Sequence, residues 1–149
     1  MRAVVQRVSR AKVTVDGEIT GEIGNGLLVL LGVSKNDAET DADYLVEKIV
    51  NLRIFEDAED TMNLSLIDTE GSMLVVSQFT LYGDTRRGRR PSFIDAAPRA
   101  DANRLYEYFV EKARERIEHV ATGRFQAMMD VELVNEGPVT IMIDSEKTF

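Results

Sequence analysis

The sequence predicts an α+β fold: one domain over residues 1–149, a largely antiparallel and barrel-like β-sheet, and two main helices. Three observations lead there. Apolar stretches of strand length outnumber helical ones, and most are joined by short turn signals. Helical periodicity is sustained only twice. No repeat, low-complexity tract or linker divides the chain. A chain of this size buries about 68–70% of its unfolded surface in one core.

The elements follow in order. "RAVVQRV" (2–8) and "KVTV" (12–15) read as two short valine-rich strands, and Asp16-Gly17 as a hairpin turn with "EITGEI" returning. "GLLVLLGV" (26–33) is apolar throughout and belongs at the centre of the sheet. From Thr40 the period changes: Leu45, Val46, Ile49 and Val50 make one helix face, and Thr40 with Asp43 resembles a capping box. "LRIF" returns to strand, "EDAEDTMN" is a polar loop, and "SMLVVSQFTLYG" is the longest strand candidate. Ala102, Leu105, Tyr106, Phe109, Val110, Ala113 and Ile117 predict a second helix stopped by Gly123. Phe125 to Leu133 alternates like a half-buried strand, "NEGP" reads as a turn, and "VTIMID" as a last strand.

Composition removes several chemistries. With no cysteine, thiolate catalysis, disulfides and zinc–thiolate sites are excluded, and a single histidine excludes a multi-histidine metal centre within one chain. No metal and no cofactor is expected. A net charge of −8 argues against a protein that simply coats nucleic acid. No apolar run approaches the ~20 residues that span a bilayer. Arg7, Arg10 and Lys12 interrupt the N-terminal apolar stretch, which is unlike a signal peptide. A cytoplasmic protein without membrane association is the expectation.

Five features are candidates for chemistry. His119, in "ERIEHVATG", fits a helix-end position favoured by the macrodipole, and no G-x-S-x-G elbow accompanies it. The acidic runs read as solvated surface. In "VVSQFTLYGD", strand alternation would put Ser77, Phe79 and Leu81 on one face and Gln78, Thr80 and Tyr82 on the other. That is either an ordinary half-buried strand or a working face, with Thr80 as nucleophile or positioner and backbone amides as an oxyanion hole. No base for Thr80 is evident in the sequence. Arg86, Arg87, Arg89 and Arg90 lie within five residues, which is either a solvated loop or an anion site suited to phosphate. Gly137-Pro138 reads as a plain turn.

Taken together, "VSQFTLYGD", "RGRRPSF" and "NEGPVT", in this order, resemble the D-aminoacyl-tRNA deacylases. The opening "MRAVVQRVSRAKVTVDGEITGEIGNGLLVLLGV" and "KIVNLRIFED" are similar to that family too, so the resemblance covers essentially the whole chain. It implies hydrolysis of the ester joining a D-amino acid, or mischarged glycine, to the terminal adenosine of tRNA. It implies a homodimer with active sites at the interface. Ser77, Gln78, Phe79 and Thr80 match the motif lining the catalytic pocket. Gly137-Pro138 matches a Gly-cis-Pro that reaches in from the other subunit and rejects L-amino acids by its backbone carbonyls, and Arg7 matches the arginine that steadies it. Gln126 and Glu136 depart from the family's more usual glycine and aspartate.

For the mechanism, the missing base at Thr80 favours attack assisted by the adenosine 2′-hydroxyl, with amides around Phe79 holding the oxyanion. Arg86, Arg87, Arg89 and Arg90 would contact acceptor-stem phosphates. Two rival readings are a non-catalytic RNA-binding module, which calls for more positive charge or exposed aromatics on a strand face, and an esterase of small acyl compounds, which has no use for an arginine loop.

Overall fold

The long first strand organises the sheet. In the computed structural model, which describes residues 1–149, β1 runs unbroken from Arg2 to Val15, where two short strands were expected. The polar Ser9 and Arg10 do not end it, because β1 is paired on both sides. Its first half pairs with β3 (Gly26–Gly32), its second half with β2 (Glu18–Ile23), and its other edge with β8 (Asp130–Asp144).

β3 pairs in parallel with β6 (Ser72–Ser77), and β6 in parallel with β7 (Val120–Thr122). Parallel neighbours need long crossovers. The first carries α1 (Glu39–Val50) and a small hairpin of β4 (Phe55–Glu56) and β5 (Met62–Leu64); the second carries α2 (Arg99–Arg114). The remaining pairs are antiparallel, and the sheet curls until His119 Nε2, just before β7, lies 3.1 Å from the Glu22 carbonyl oxygen on β2.

The apolar run of β3 is explained by burial on both faces. Leu27, Val29 and Leu31 face the helices, with Leu45, Ile49, Leu105 and Phe109. Leu28 faces the barrel interior with Val8, Val13, Ile23, Leu74 and Val76. Inside the first layer, the Tyr106 hydroxyl donates to the Val75 carbonyl at 2.9 Å, and burial pushes its pKa up to about 12.

Several boundaries differ from the sequence expectation. The cap of α1 is at Ala38, whose N–H donates to Asp41 Oδ2 at 2.9 Å, two residues earlier than Thr40/Asp43. α2 ends at Arg114, so Ile117 is buried beyond the helix, Gly123 lies past β7 and His119 is not in a last helical turn. Pairing of Val120 with Met73 draws the chain into the sheet there. Residues 125–127 form a turn, with Gln126 at φ 64°, residues 128–129 are irregular, and the last strand begins only at Asp130. "NEGP" does not reverse the chain. β8 runs through it, pairing Thr140 with Gln6 and Asn135 with Val8, so that residues 136–139 bulge out of the ladder. The Asn135 amide bridges the bulge, donating to the Arg7 and Val139 carbonyls at 3.1 and 3.0 Å. No helix is long and apolar enough to cross a membrane.

Candidate active site

The expected strand through residues 72–83 stops at Ser77. Gln78 still donates its N–H to the Leu31 carbonyl at 2.8 Å, but Leu31 is the last residue of β3 that pairs with β6. Beyond it the chain folds into a 3₁₀ turn over Phe79–Tyr82, closed by Leu81 N–H to Gln78 O (3.2 Å) and Gly83 N–H to Thr80 O (2.9 Å). Gly32 makes room for this: a Cβ there would lie 3.0 Å from Leu81 Cβ and 3.1 Å from the Gln78 oxygen. The alternation of faces predicted for Ser77–Tyr82 is therefore replaced. Tyr82 is buried, while Phe79 and Thr80 stand out together on the surface.

This turn presents two kinds of polar group. The Thr80 hydroxyl oxygen accepts a hydrogen bond from Gln78 Nε2. No carboxylate, lysine or histidine is bonded to it. The backbone N–H groups of Phe79 and Thr80 open the turn and have no partner inside it, as the first donors of any helical turn lack one. Phe79 is 56% exposed and meets Phe93 edge to face at 5.1 Å, so an apolar surface borders the two amides. Such an arrangement suits a developing oxyanion better than it suits activation of a hydroxyl.

Downstream, Asp84 and Ser92 exchange backbone hydrogen bonds at 2.8 and 2.9 Å, so residues 85–91 project as a loop from a closed neck. Arg86 is engaged within it: Nε and Nη2 grip the two Asp84 carboxylate oxygens at 2.9 and 2.7 Å. The guanidinium holds the Asp84 carboxyl far below the usual carboxylate range. Arg87, Arg89 and Arg90 are exposed and make no ion pair within the chain. Between the turn and this loop lies a cleft of about 490 Å³, lined by Arg2, Asn36, Tyr82, Thr85, Asp95 and Glu146 among others.

Gly137 and Pro138 occupy the β8 bulge, are exposed, and are joined by a cis peptide bond. Arg7 is buried behind them. Its Nη1 donates to the Ile54 carbonyl at 2.7 Å and its Nε to the Glu136 carbonyl at 3.3 Å. Within one chain this pair does not join the Phe79 turn. Ser77, Leu31, Ala3 and Ile143 form one row across β6, β3, β1 and β8, so three strand spacings and several residues along β8 intervene. With strands about 4.8 Å apart and a rise of about 3.3 Å per residue, that places the two features on the order of 25 Å apart.

His119 is held at the β2–β7 junction. No group of three metal-ligating side chains converges anywhere. Arg2 and Phe93 escaped the sequence reading, since only strand register and loop closure bring them to the turn.

Comparison with known proteins agrees across the chain. Residues 4–144 match the family model described as D-Tyr-tRNA(Tyr) deacylase. The chain is 63% identical over 149 residues to the D-aminoacyl-tRNA deacylase of Symbiobacterium thermophilum, covering 100% of this chain and 99% of that one. It is 62% identical over 150 residues to that of Thermosipho melanesiensis, covering all of both. Among solved structures, a c-Myc DNA unwinding element binding protein matches with TM-score 0.92 and 44% identity, over 97% of this chain and 98% of that one. A probable eukaryotic D-amino acid tRNA deacylase shares the fold, with TM-score 0.79 at 19% identity over 95% and 97%. On a family match spanning nearly every residue and relatives above 60% identity from end to end, this chain belongs to the D-Tyr-tRNA(Tyr) deacylase family.

Proposed function

We propose that the protein hydrolyses the ester bond of D-aminoacyl-tRNA, releasing the D-amino acid and tRNA, and acts likewise on glycine mischarged on tRNA. The observation that carries this is the Phe79–Tyr82 turn: two partnerless amides beside an exposed ring, and a Thr80 hydroxyl with no base. Such a site stabilises charge without supplying a nucleophile, so the nucleophile must come from elsewhere. In this reading water attacks the ester carbonyl, assisted by the adjacent 2′-hydroxyl of the terminal adenosine, and the Phe79 and Thr80 N–H groups receive the oxyanion. The acyl–oxygen bond then breaks, the ribose oxygen leaving as a hydroxyl with the proton given up by water. Ser77 and Gln78 shape the pocket, and Gln78 orients Thr80.

Gly137 and Pro138 of a second copy complete the pocket and reject L-amino acids with backbone, whatever the side chain. Two facts favour a homodimer. The outer edge of β8 is unpaired, with Val134 40% and Met142 61% exposed along the strand, and unpaired edges invite another chain. The separation of Gly137-Pro138 from Phe79 within one chain leaves a second copy to bring them together. The arginine loop contacts tRNA phosphates, and cytoplasmic action follows from such a substrate. A nucleic-acid-binding role without catalysis, which the name of one structural neighbour suggests for that neighbour, is disfavoured here by the net charge of −8.

The deciding experiment compares release from D-tyrosyl-tRNA, L-tyrosyl-tRNA and a free D-amino-acid ester. Fast release from the first alone is expected. Equal release of D and L, or preference for the free ester, would overturn the proposal. In a substrate ending in 2′-deoxyadenosine, unchanged hydrolysis would rule out RNA assistance.

A further inference from the structure

Arg2 lies at the exit of the Phe79–Tyr82 turn. Its Nη1 donates to the Leu81 carbonyl at 3.1 Å, and its guanidinium covers the Tyr82 ring with Cζ 4.6 Å from the centroid. The Phe149 ring stands 5.7 Å from the same carbon, and the Asp144 carboxylate is 3.5 Å from Nε. That Nε is buried and donates no hydrogen bond, so the Asp144 contact is an ion pair without hydrogen-bond geometry. Asp144 is itself fixed, accepting from the Glu146 N–H at 3.0 Å and from the Thr148 hydroxyl.

The turn thus has two fastenings. Gln78 N–H to Leu31 O, at 2.8 Å, holds its entrance to the end of β3. Arg2 holds its exit through Leu81 and Tyr82. Phe79 and Thr80 lie between the two. A four-residue 3₁₀ turn has too few internal bonds to keep its own direction, so the aim of its leading amides depends on both ends being fixed.

Resting on the function proposed above, we infer that Arg2 is a positioning residue for the reaction: without touching substrate, it sets the direction of the Phe79 and Thr80 amides by clamping Leu81 and Tyr82 against Asp144. Such a residue affects the transition state more than ground-state binding, because the amides meet full negative charge only as the ester is attacked. Lysine cannot reproduce the clamp, since one ammonium does not span the carbonyl, the ring face and the carboxylate together.

The test measures kcat and KM separately on D-aminoacyl-tRNA, for wild type, Arg2→Met, Arg2→Lys and Asp144→Asn, at a temperature well below each Tm. Arg2→Met is expected to lower kcat at least ~30-fold with KM changed less than about twofold, in the pattern of an interaction made only in the transition state. Arg2→Lys should recover part of kcat. Asp144→Asn, which leaves Arg2 on Leu81 but removes its counter-charge, should fall between wild type and Arg2→Met. If Arg2→Met does not fold, Arg2→Lys and Asp144→Asn decide, and both must lower kcat without raising KM. A kcat within twofold of wild type in the folded variants, or KM and kcat changing together in step with lost Tm, would overturn the inference. Wild-type D- versus L-tyrosyl-tRNA release tests the underlying function independently, so the two can fail separately.

Discussion

The Arg7 guanidinium is packed against Gly137: a Cβ added to the glycine would lie 2.7 Å from Arg7 Nη2. The same Cβ would lie 2.9 Å from Val139 Cγ2, and Gly137 has φ 115°, a region that side-chain-bearing residues rarely adopt. The glycine is therefore required twice, by its backbone angle and by the buried arginine behind it.

Gly137→Ala should accordingly displace either Arg7 or residues 136–139. Strain of about 1–3 kcal/mol at roughly 2–4 °C per kcal/mol for a domain of this size predicts a fall in Tm of several degrees. In the proposed pocket the same displacement should blunt chiral selection, raising the rate on L-tyrosyl-tRNA relative to D by at least tenfold. Thermal melting and the paired D/L assay check both halves. Lower Tm with an unchanged D/L ratio would assign Gly137 to the fold alone.

Thr80→Ala should keep measurable turnover, with kcat reduced about tenfold or less. The alanine variant loses the hydroxyl that Gln78 Nε2 contacts but keeps the Thr80 N–H, and the amide is the group assigned to the oxyanion. Loss of a true nucleophile costs far more, on the order of 10⁴-fold or greater. Single-turnover kinetics on D-tyrosyl-tRNA distinguishes these. Complete loss in a folded protein that still binds substrate would return Thr80 to the nucleophile's role.

Much of this architecture was legible because it depends on local pattern. The uninterrupted apolar run of Leu27–Leu31 announces burial on both faces, and β3 has it. The Leu105–Ala113 spacing announces α2. What failed depends on a partner that sequence does not display. "SQFTLY" looks like more strand, and it becomes a turn because its partner β3 runs out at Leu31 and Gly32 leaves space for the chain to fold over. "NEGP" looks like a reversal, and it becomes a bulge because β1 continues to pair on both sides of it. Arg2 is one of many surface-like arginines until register puts it beside Leu81. The Arg86 side chain, likewise, looks free in the sequence, and it is held by a local turn in which its N–H and guanidinium both donate to Asp84 two residues before it.

That last pairing refines what the arginine loop should do. Arg86 already spends its two forks on Asp84, whereas Arg87, Arg89 and Arg90 have no partner in the chain. Replacing those three by glutamine should raise KM for D-aminoacyl-tRNA and flatten its dependence on salt, each lost phosphate contact reducing the log–log slope by about 0.7–0.9. Arg86→Gln alone should change KM less than any of the other three. Asp84→Asn, by releasing Arg86, should lower KM at low salt. Measuring KM from about 50 to 200 mM salt checks the series. An Arg86→Gln effect equal to or larger than the rest would reverse this order.

Acid should unfold the protein partly through Asp144. Burial pushes its carboxyl up, but hydrogen bonds from Thr148 and the Glu146 N–H, with the charges of the Met1 amine and Arg2, more than offset this and leave it below the usual range. A folded-state pKa below the unfolded value means the carboxylate's stabilisation is fully present above about pH 4, the unfolded aspartate value. It is lost as pH falls through the lowered folded-state pKa. Asp144→Asn removes that titration. Its Tm should lie below wild type at pH 7, where Arg2 and the Met1 amine have lost a counter-charge, and the gap should shrink steadily below pH 4 as the wild-type carboxylate protonates. Melting curves between pH 3 and pH 7 test this directly, and a gap independent of pH would show that the fold does not hold the Asp144 carboxyl below its unfolded-state pKa.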